Sequence, residues 1–315
     1  MTTRPTPIPT PILTPILNPE ARPVLGVFWM LVTGACFVAV TATVKVVGSD
    51  VPPAQAAFLR YALGLVFLIP MLPAMRAARL APRQWGLFGI RGVVHTLGVI
   101  CWFYAMTQIP IAEVTAMNYL NPVYVTILAV FFLGERMAAR RIIAVGVAVL
   151  GALIILRPGF RELNDGHLAM LFTAAAFAVG YLIAKIMADE VAPAVVVFML
   201  SVTVTIGLAP FAWFVWVPVT WEQIGWLFLT AAFATAGHFS MTLAFQAAPL
   251  AVTQPVTFLQ LVWATALGAL VFGEAVDGWV MLGGAMIIAA ISFITWREAV
   301  LKRRGVTPAV SQTKH

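Results

Sequence analysis

The sequence predicts an all-α integral membrane protein, with ten transmembrane helices arranged as two inverted five-helix repeats. Three observations carry this. Of the 315 residues, 62% are hydrophobic and 10% charged, with a mean hydropathy of +0.97, which leaves too little polar surface to cover a soluble domain of this size. Apolar runs near 20 residues, the length that crosses roughly 30 Å of hydrocarbon, recur between short connections. Finally, residues 95–135, moved forward by 139 positions without a gap, fall on residues 234–274 and coincide with them at Gly98, Ala105, Pro110, Ala112, Leu120, Gly134 and Glu135, among others.

In chain order, residues 1–23 carry prolines at 5, 7, 9, 11, 15, 19 and 23. These forbid a continuous helix and predict a disordered, Pro-rich cytoplasmic tail. The tail lacks the basic start, apolar core and cleavage site of a secretory signal. Spans 1 to 5 are predicted at 24–47, 54–73, 84–107, 112–133 and 138–156, forming a first repeat over 24–157. Spans 6 to 10 follow at 167–187, 194–214, 222–245, 251–271 and 277–297, forming a second repeat over 167–297. A second match supports the duplication: residues 37–54 align with 177–194, placing Lys45 over Lys185. Residues 298–315 read as a basic cytoplasmic tail.

Five spans per repeat is an odd number, so the second copy enters the membrane from the opposite side. Charge tests this separately. The loops after spans 2 and 4 hold Arg76, Arg79, Arg83, Arg136, Arg140 and Arg141, whereas the matching loops after spans 7 and 9 hold no Lys or Arg. The positive-inside rule then puts the arginine loops and both termini in the cytoplasm of a bacterial inner membrane. Arg157 and Arg161, between spans 5 and 6, are the exception. The formal charge of +7 sits at span ends and in the C-terminal tail, so topology explains it and nucleic-acid binding is excluded. Cys36 and Cys101 fall within apolar runs and behave as small hydrophobes.

The candidate site lies on spans 4 and 9. Thr115, Asn118 and Asn121 stand over Gln254, Thr257 and Gln260, two polar stripes of the same spacing within apolar runs. Such side chains need partners in hydrocarbon and find them in a wet cavity or between packed helices. Pro122 withholds an N–H from the Asn118 carbonyl, and Pro255 does so for Ala251. Tyr124 and Trp263 add aromatic faces, as do Trp102 and Tyr119. On span 3, Arg91 and His95 share a face one turn apart and can meet an anion or relay a proton, unless Arg91 snorkels to the surface. His238, Glu135 and Glu274 are candidates for proton coupling or gating. Lys45 and Lys185 are read as snorkelling from span ends, and Arg60 as structural.

With these residues in place, the chain resembles the drug/metabolite transporter superfamily in its EamA-type ten-helix branch. The resemblance covers residues 24–298 and rests on the five-plus-five duplication, the Leu-Gly-Glu at 133–135, the Phe-Gly-Glu at 272–274 and the Phe58-Leu59-Arg60-Tyr61 start of span 2. It implies a central cavity lined by spans 1, 3, 4, 6, 8 and 9 that opens alternately to either side. Members of the family export amino acids, take up vitamins and nucleotide-like cofactors, or carry sugars and drugs.

Expected, then, is a secondary transporter and not an enzyme, without cofactor or metal. Its partners are a small-molecule substrate and the lipid bilayer, and a homodimer stays open. No P-loop sequence is present. An intramembrane lipid-modifying enzyme would need convergent acids, bases or metal ligands, for which the sequence offers no motif. Amides combined with flat rings suit a planar heteroaromatic cargo, which puts a riboflavin-like vitamin taken up ahead of an exported aromatic or amphipathic amino acid. Arg91 leans toward the latter.

Overall fold

The computed structural model describes residues 22–121, 123–124, 127–128, 139–158, 160, 163–248 and 253–306. Most of the N-terminal tail, Pro122, Glu135, Arg136, Arg161 and residues 307–315 lie outside the described residues. So do the side chains of Arg140, Arg141, Lys185, Gln254, Lys302, Arg303 and Arg304.

The helices are α1 (Pro23–Val47), α2 (Pro53–Ala77), α3 (Pro82–Gln108), α4 (Ile111–Asn118), α5 (Ala139–Leu156), α6 (Asp165–Glu190), α7 (Pro193–Phe214), α8 (Trp221–Ala247), α9 (Phe258–Phe272) and α10 (Gly278–Val306). Proline opens α1, α2, α3 and α7 at a position whose N–H has no helical partner in any case. The Asn164 side chain caps α6 by accepting from the Gly166 N–H at 2.7 Å, and Thr220 caps α8. At its other end α9 stops on Gly273, whose φ of 64° is the left-handed conformation that glycine adopts without strain.

Two boundaries differ from expectation. Helix α2 extends to Ala77 and tightens to 3-10 geometry over Leu65–Met71, where Pro70 cannot donate to the preceding turn. Helix α10 continues to Val306, well into the predicted basic tail. Hydropathy marks where the membrane ends, whereas a helix rich in Arg, Lys, Leu and Ala can run on into water.

Seven of the described helices are long and apolar enough to cross a membrane, and Ile142–Leu156 and Leu259–Phe272 are shorter apolar helices. The remaining span begins at α4. Large apolar side chains such as Val93, Trp213 and Leu270 stay exposed on the outer surface, as lipid contact requires.

Helix packing repeats across a pseudo-twofold axis. Adding five to each helix number of the first half carries α1–α8 onto α6–α3, α2–α8 onto α7–α3, and α1–α9 onto α6–α4, while α2–α7, α4–α9 and α5–α10 pair equivalent helices. Each half therefore folds against the other rather than into a separate core. In the α5–α10 pair, small residues let backbones touch: a Cβ on Gly151 would lie 2.7 Å from the Gly283 carbonyl oxygen.

Among the described residues the ion pairs sort to two rims. On one, Arg83 and Gln84 at the start of α3 hold Glu190 at the end of α6, at 2.8 and 2.9 Å, and the Arg22 N–H donates to the Ala247 carbonyl. On the other, Lys45 pairs with Glu274, Arg157 with Asp277, and Gln55 exchanges two hydrogen bonds with the Val217 backbone. There too Glu113 and His167 are bonded at 2.6 Å. Arg157, the exception to the charge asymmetry, is thus neutralised by an aspartate from the α9–α10 loop. Lys45 is corrected as well, since it turns to a carboxylate and does not merely snorkel.

Candidate functional site

The polar stripes fold into helix breaks. Regular α4 ends at Asn118, and the next amides fall back three residues, Tyr119 to Ala116 and Leu120 to Met117. In the second repeat Gln254–Thr257 is 3-10 and α9 starts at Phe258. Under the 139-residue shift Asn118 corresponds to Thr257, so both repeats break at one place, a few residues before or after a proline. The breaks also touch, since the Tyr119 hydroxyl donates to the Thr257 carbonyl at 2.7 Å.

Beside them lies a cavity of about 30 Å³, room for roughly two water molecules. It is bordered by Phe37 and Thr41 of α1, Arg60 and Tyr61 of α2, and His95 and Trp102 of α3. Val114, Thr115 and Asn118 of α4, Phe177 and Tyr181 of α6, His238 of α8 and Gln260 of α9 complete it. All six helices that the family resemblance implies contribute, and α2 adds a seventh.

Two histidines meet at the centre. The His95 ring stacks on Phe177 at 4.6 Å between centroids, Phe37 meets His238 edge-on at 5.3 Å, and the two imidazoles are 6.1 Å apart. Phe37 and Phe177 are equivalent in the repeat, as are α3 and α8. Each half therefore lays the phenylalanine of its first helix on the histidine of the other half's third helix. One ring nitrogen of His95, Nε2, is engaged with the Tyr61 hydroxyl at 2.9 Å.

Of the residues singled out from sequence, Asn118, Gln260, His95 and His238 border the cavity. Asn121 is buried beside it, donating to the Asn118 side chain at 3.0 Å while its own Oδ1 finds no partner. Trp263 packs with Val38, Ile111 and Ala264, and with Gln260 it closes over Gly34 of α1. Tyr124 joins the main apolar core. Thr257 accepts from Tyr119. Arg91 is buried with one bond to the Val196 carbonyl at 3.1 Å and its Nε unpartnered. Glu274 does not border the cavity; on the rim it holds Lys45 and also accepts from the Ile111 N–H at 3.0 Å. Gln254 and Glu135 cannot be placed among these, their side chains lying outside the described residues.

Sequence reasoning takes Arg60 as structural, whereas it borders the cavity, and does not single out Tyr61, Phe177 or Tyr181 as site residues. The available signals were the matched Phe37 and Phe177 at the head of the aligned segments and the Phe58-Leu59-Arg60-Tyr61 start of span 2, since α2 carries no duplicated polar stripe.

A profile of the EamA-like transporter family matches the chain twice, over residues 24–157 and 164–296. The chain belongs to the EamA-like transporter family. Among curated relatives of this EamA-like protein, the riboflavin transporter of Rhizobium johnstonii is 31% identical over 290 residues, covering 90% of this chain and 95% of its own. The pseudopaline exporter of Pseudomonas aeruginosa is 28% identical, covering 84% and 94%. An S-adenosylmethionine uptake transporter of Rickettsia bellii is 24% identical, covering 87% and 94%. A protein of known crystal structure, 18% identical, superimposes with a TM-score of 0.56 over 91% of the EamA-like chain and 99% of its own, a likeness of fold alone. These relatives move different molecules in different directions.

Proposed function

We propose that this protein is a secondary transporter of the bacterial inner membrane, moving a small ring-bearing metabolite by alternating access, with uptake of a riboflavin-like vitamin as the leading candidate. The observation that carries the reading is the cavity itself. Aromatic faces from Tyr61, Trp102, Phe177 and Tyr181 converge there with the side-chain amides of Asn118 and Gln260. Rings of that kind stack on a planar heterocycle while amides satisfy its edge. At about 30 Å³ the space is too small for such a cargo, so admission requires the halves to part, along α1–α8 toward one side or α3–α6 toward the other. The arginine-bearing rim is taken as cytoplasmic, and no step is assigned to catalysis.

A second reading is export of an aromatic or amphipathic amino acid, favoured by the cationic side chain of Arg60 at the cavity, with Arg91 within electrostatic range of its two histidines. Two measurements separate the readings. Labelled riboflavin accumulating in a riboflavin auxotroph above the vector control supports the first. Acquired resistance to toxic amino-acid analogues, without riboflavin uptake, replaces it with the second.

A further inference from the structure

We propose that Arg60 is the anchor for an anionic group on the transported molecule, so that the cavity takes ring-bearing carboxylates or phosphates in preference to their uncharged counterparts. The proposal rests on the reading of the cavity as the cargo site.

Arg60 lies two turns into α2 and is 6% exposed, yet it borders the cavity. Its guanidinium carbon stands 3.8 Å from the centroid of the Tyr61 ring. A guanidinium keeps its charge at any physiological pH, and a buried charge is retained only where something answers it. Among the described residues no carboxylate borders the cavity. Glu113, Glu274 and Asp277 are committed to His167, Lys45 and Arg157 at the rim. Among the described residues the Tyr61 face is the one contact partner of the Arg60 guanidinium, apart from its electrostatic neighbours. Those neighbours add no negative charge: His95 and His238 lie within electrostatic range of Arg60, as does Arg91 of both rings. The threonine hydroxyls do not compete for an anion, because Thr41 and Thr115 donate to the carbonyls of Phe37 and Ile111 in their own helices, and the Tyr61 hydroxyl is engaged with His95. What remains open is a planar, fork-shaped donor set with Gln260 and Asn118 beside it, surrounded by rings. Carboxylate and phosphate oxygens match that fork, and pairing in a site from which water is largely excluded strengthens the attraction. The cargo class that follows has an aromatic ring system carrying one anionic group.

The test uses the full-length protein, purified in detergent, and two matched pairs of compounds: riboflavin with riboflavin 5′-phosphate, and indole-3-acetamide with indole-3-acetate. The anionic member of at least one pair should bind about tenfold tighter than its neutral partner. Preference in the first pair alone identifies a phosphate, and in the second alone a carboxylate. Arg60→Gln should erase the preference, bringing the charged and neutral members of a pair to equal affinity, while Arg60→Lys keeps part of it. Equal binding of charged and neutral members by the wild-type protein overturns the anchor but leaves the ring-binding cavity standing, and needs no variant to fold. A preference that survives Arg60→Gln also overturns it. Failure of all four compounds to bind folded protein sinks the cargo reading and the anchor together.

Discussion

Gln260 and Asn121 occupy matching positions of the duplicated stripe, yet their surroundings differ, and so should their substitutions. Gln260 borders the cavity, so Gln260→Leu is expected to lower flux severalfold while thermal stability in detergent stays at the wild-type value. Asn121 carries a buried carbonyl oxygen without a partner. Such an atom costs about 1–3 kcal/mol, so Asn121→Leu, despite losing the bond to Asn118, should change stability by no more than about 1 kcal/mol. Parallel measurement of flux and melting temperature for both variants checks this, and equal loss of both quantities at Gln260 would refute its role as a cavity residue. On the exposed rim, hydrogen bonds from Arg83 and Gln84 hold the Glu190 carboxyl below its ordinary range. A depressed carboxyl stabilises above its unfolded pKa, and that contribution is lost as pH falls through the lower folded value. Because Glu190 is solvent-exposed, Glu190→Gln should leave the melting temperature nearly unchanged at neutral pH, the difference vanishing in acid.

Between helices, the closest approaches are set by small residues and by the two breaks. Gly283→Val would push a side chain into the Gly151 carbonyl and Ile155. Overpacking of this kind costs about 1–3 kcal/mol, and a melting temperature equal to wild type would show that α5 and α10 separate easily. Tyr119→Phe removes the single bond seen between the breaks and should cost about 1 kcal/mol. Much at this scale was legible in the sequence. The breaks follow from Pro122 and Pro255, the helix starts from prolines, and the duplication from aligned residues in one gapless shift. Arg60 was not legible, because nothing along α2 distinguishes a guanidinium that faces a neighbouring helix from one that faces a cavity. That distinction arises only where seven helices converge. Arg157 and Lys45 likewise looked unpaired because Asp277 and Glu274 are 120 and 229 residues away in sequence. The polar stripe conveyed spacing but not rotation, so it could not separate Asn118, which borders the cavity, from Asn121, which does not line it.

At the level of the whole molecule, the positive-inside rule predicts the orientation from the charge of the two rims. Reporter fusions at Arg79 and Arg140 should register on the cytoplasmic side and those at Thr220 and Asp277 on the periplasmic side. All four on one side would refute the inverted arrangement. The Lys45–Glu274 pair, with the Ile111 amide on the same carboxylate, ties the ends of α1 and α9 to the start of α4. Glu274→Gln should weaken that tie and lower stability by about 1–3 kcal/mol, between the values for exposed and buried pairs.

The small volume at the centre has a further consequence for the cell that houses the protein. Two water molecules cannot form a file across roughly 30 Å of hydrocarbon, and the two histidines that border the cavity are packed against phenylalanine rings. A cavity of this size offers ions no continuous wet path of its own, so protein in vesicles without substrate should show no resting conductance. A carrier can then be abundant without short-circuiting the ion gradients that power its neighbours, and current should appear only with turnover.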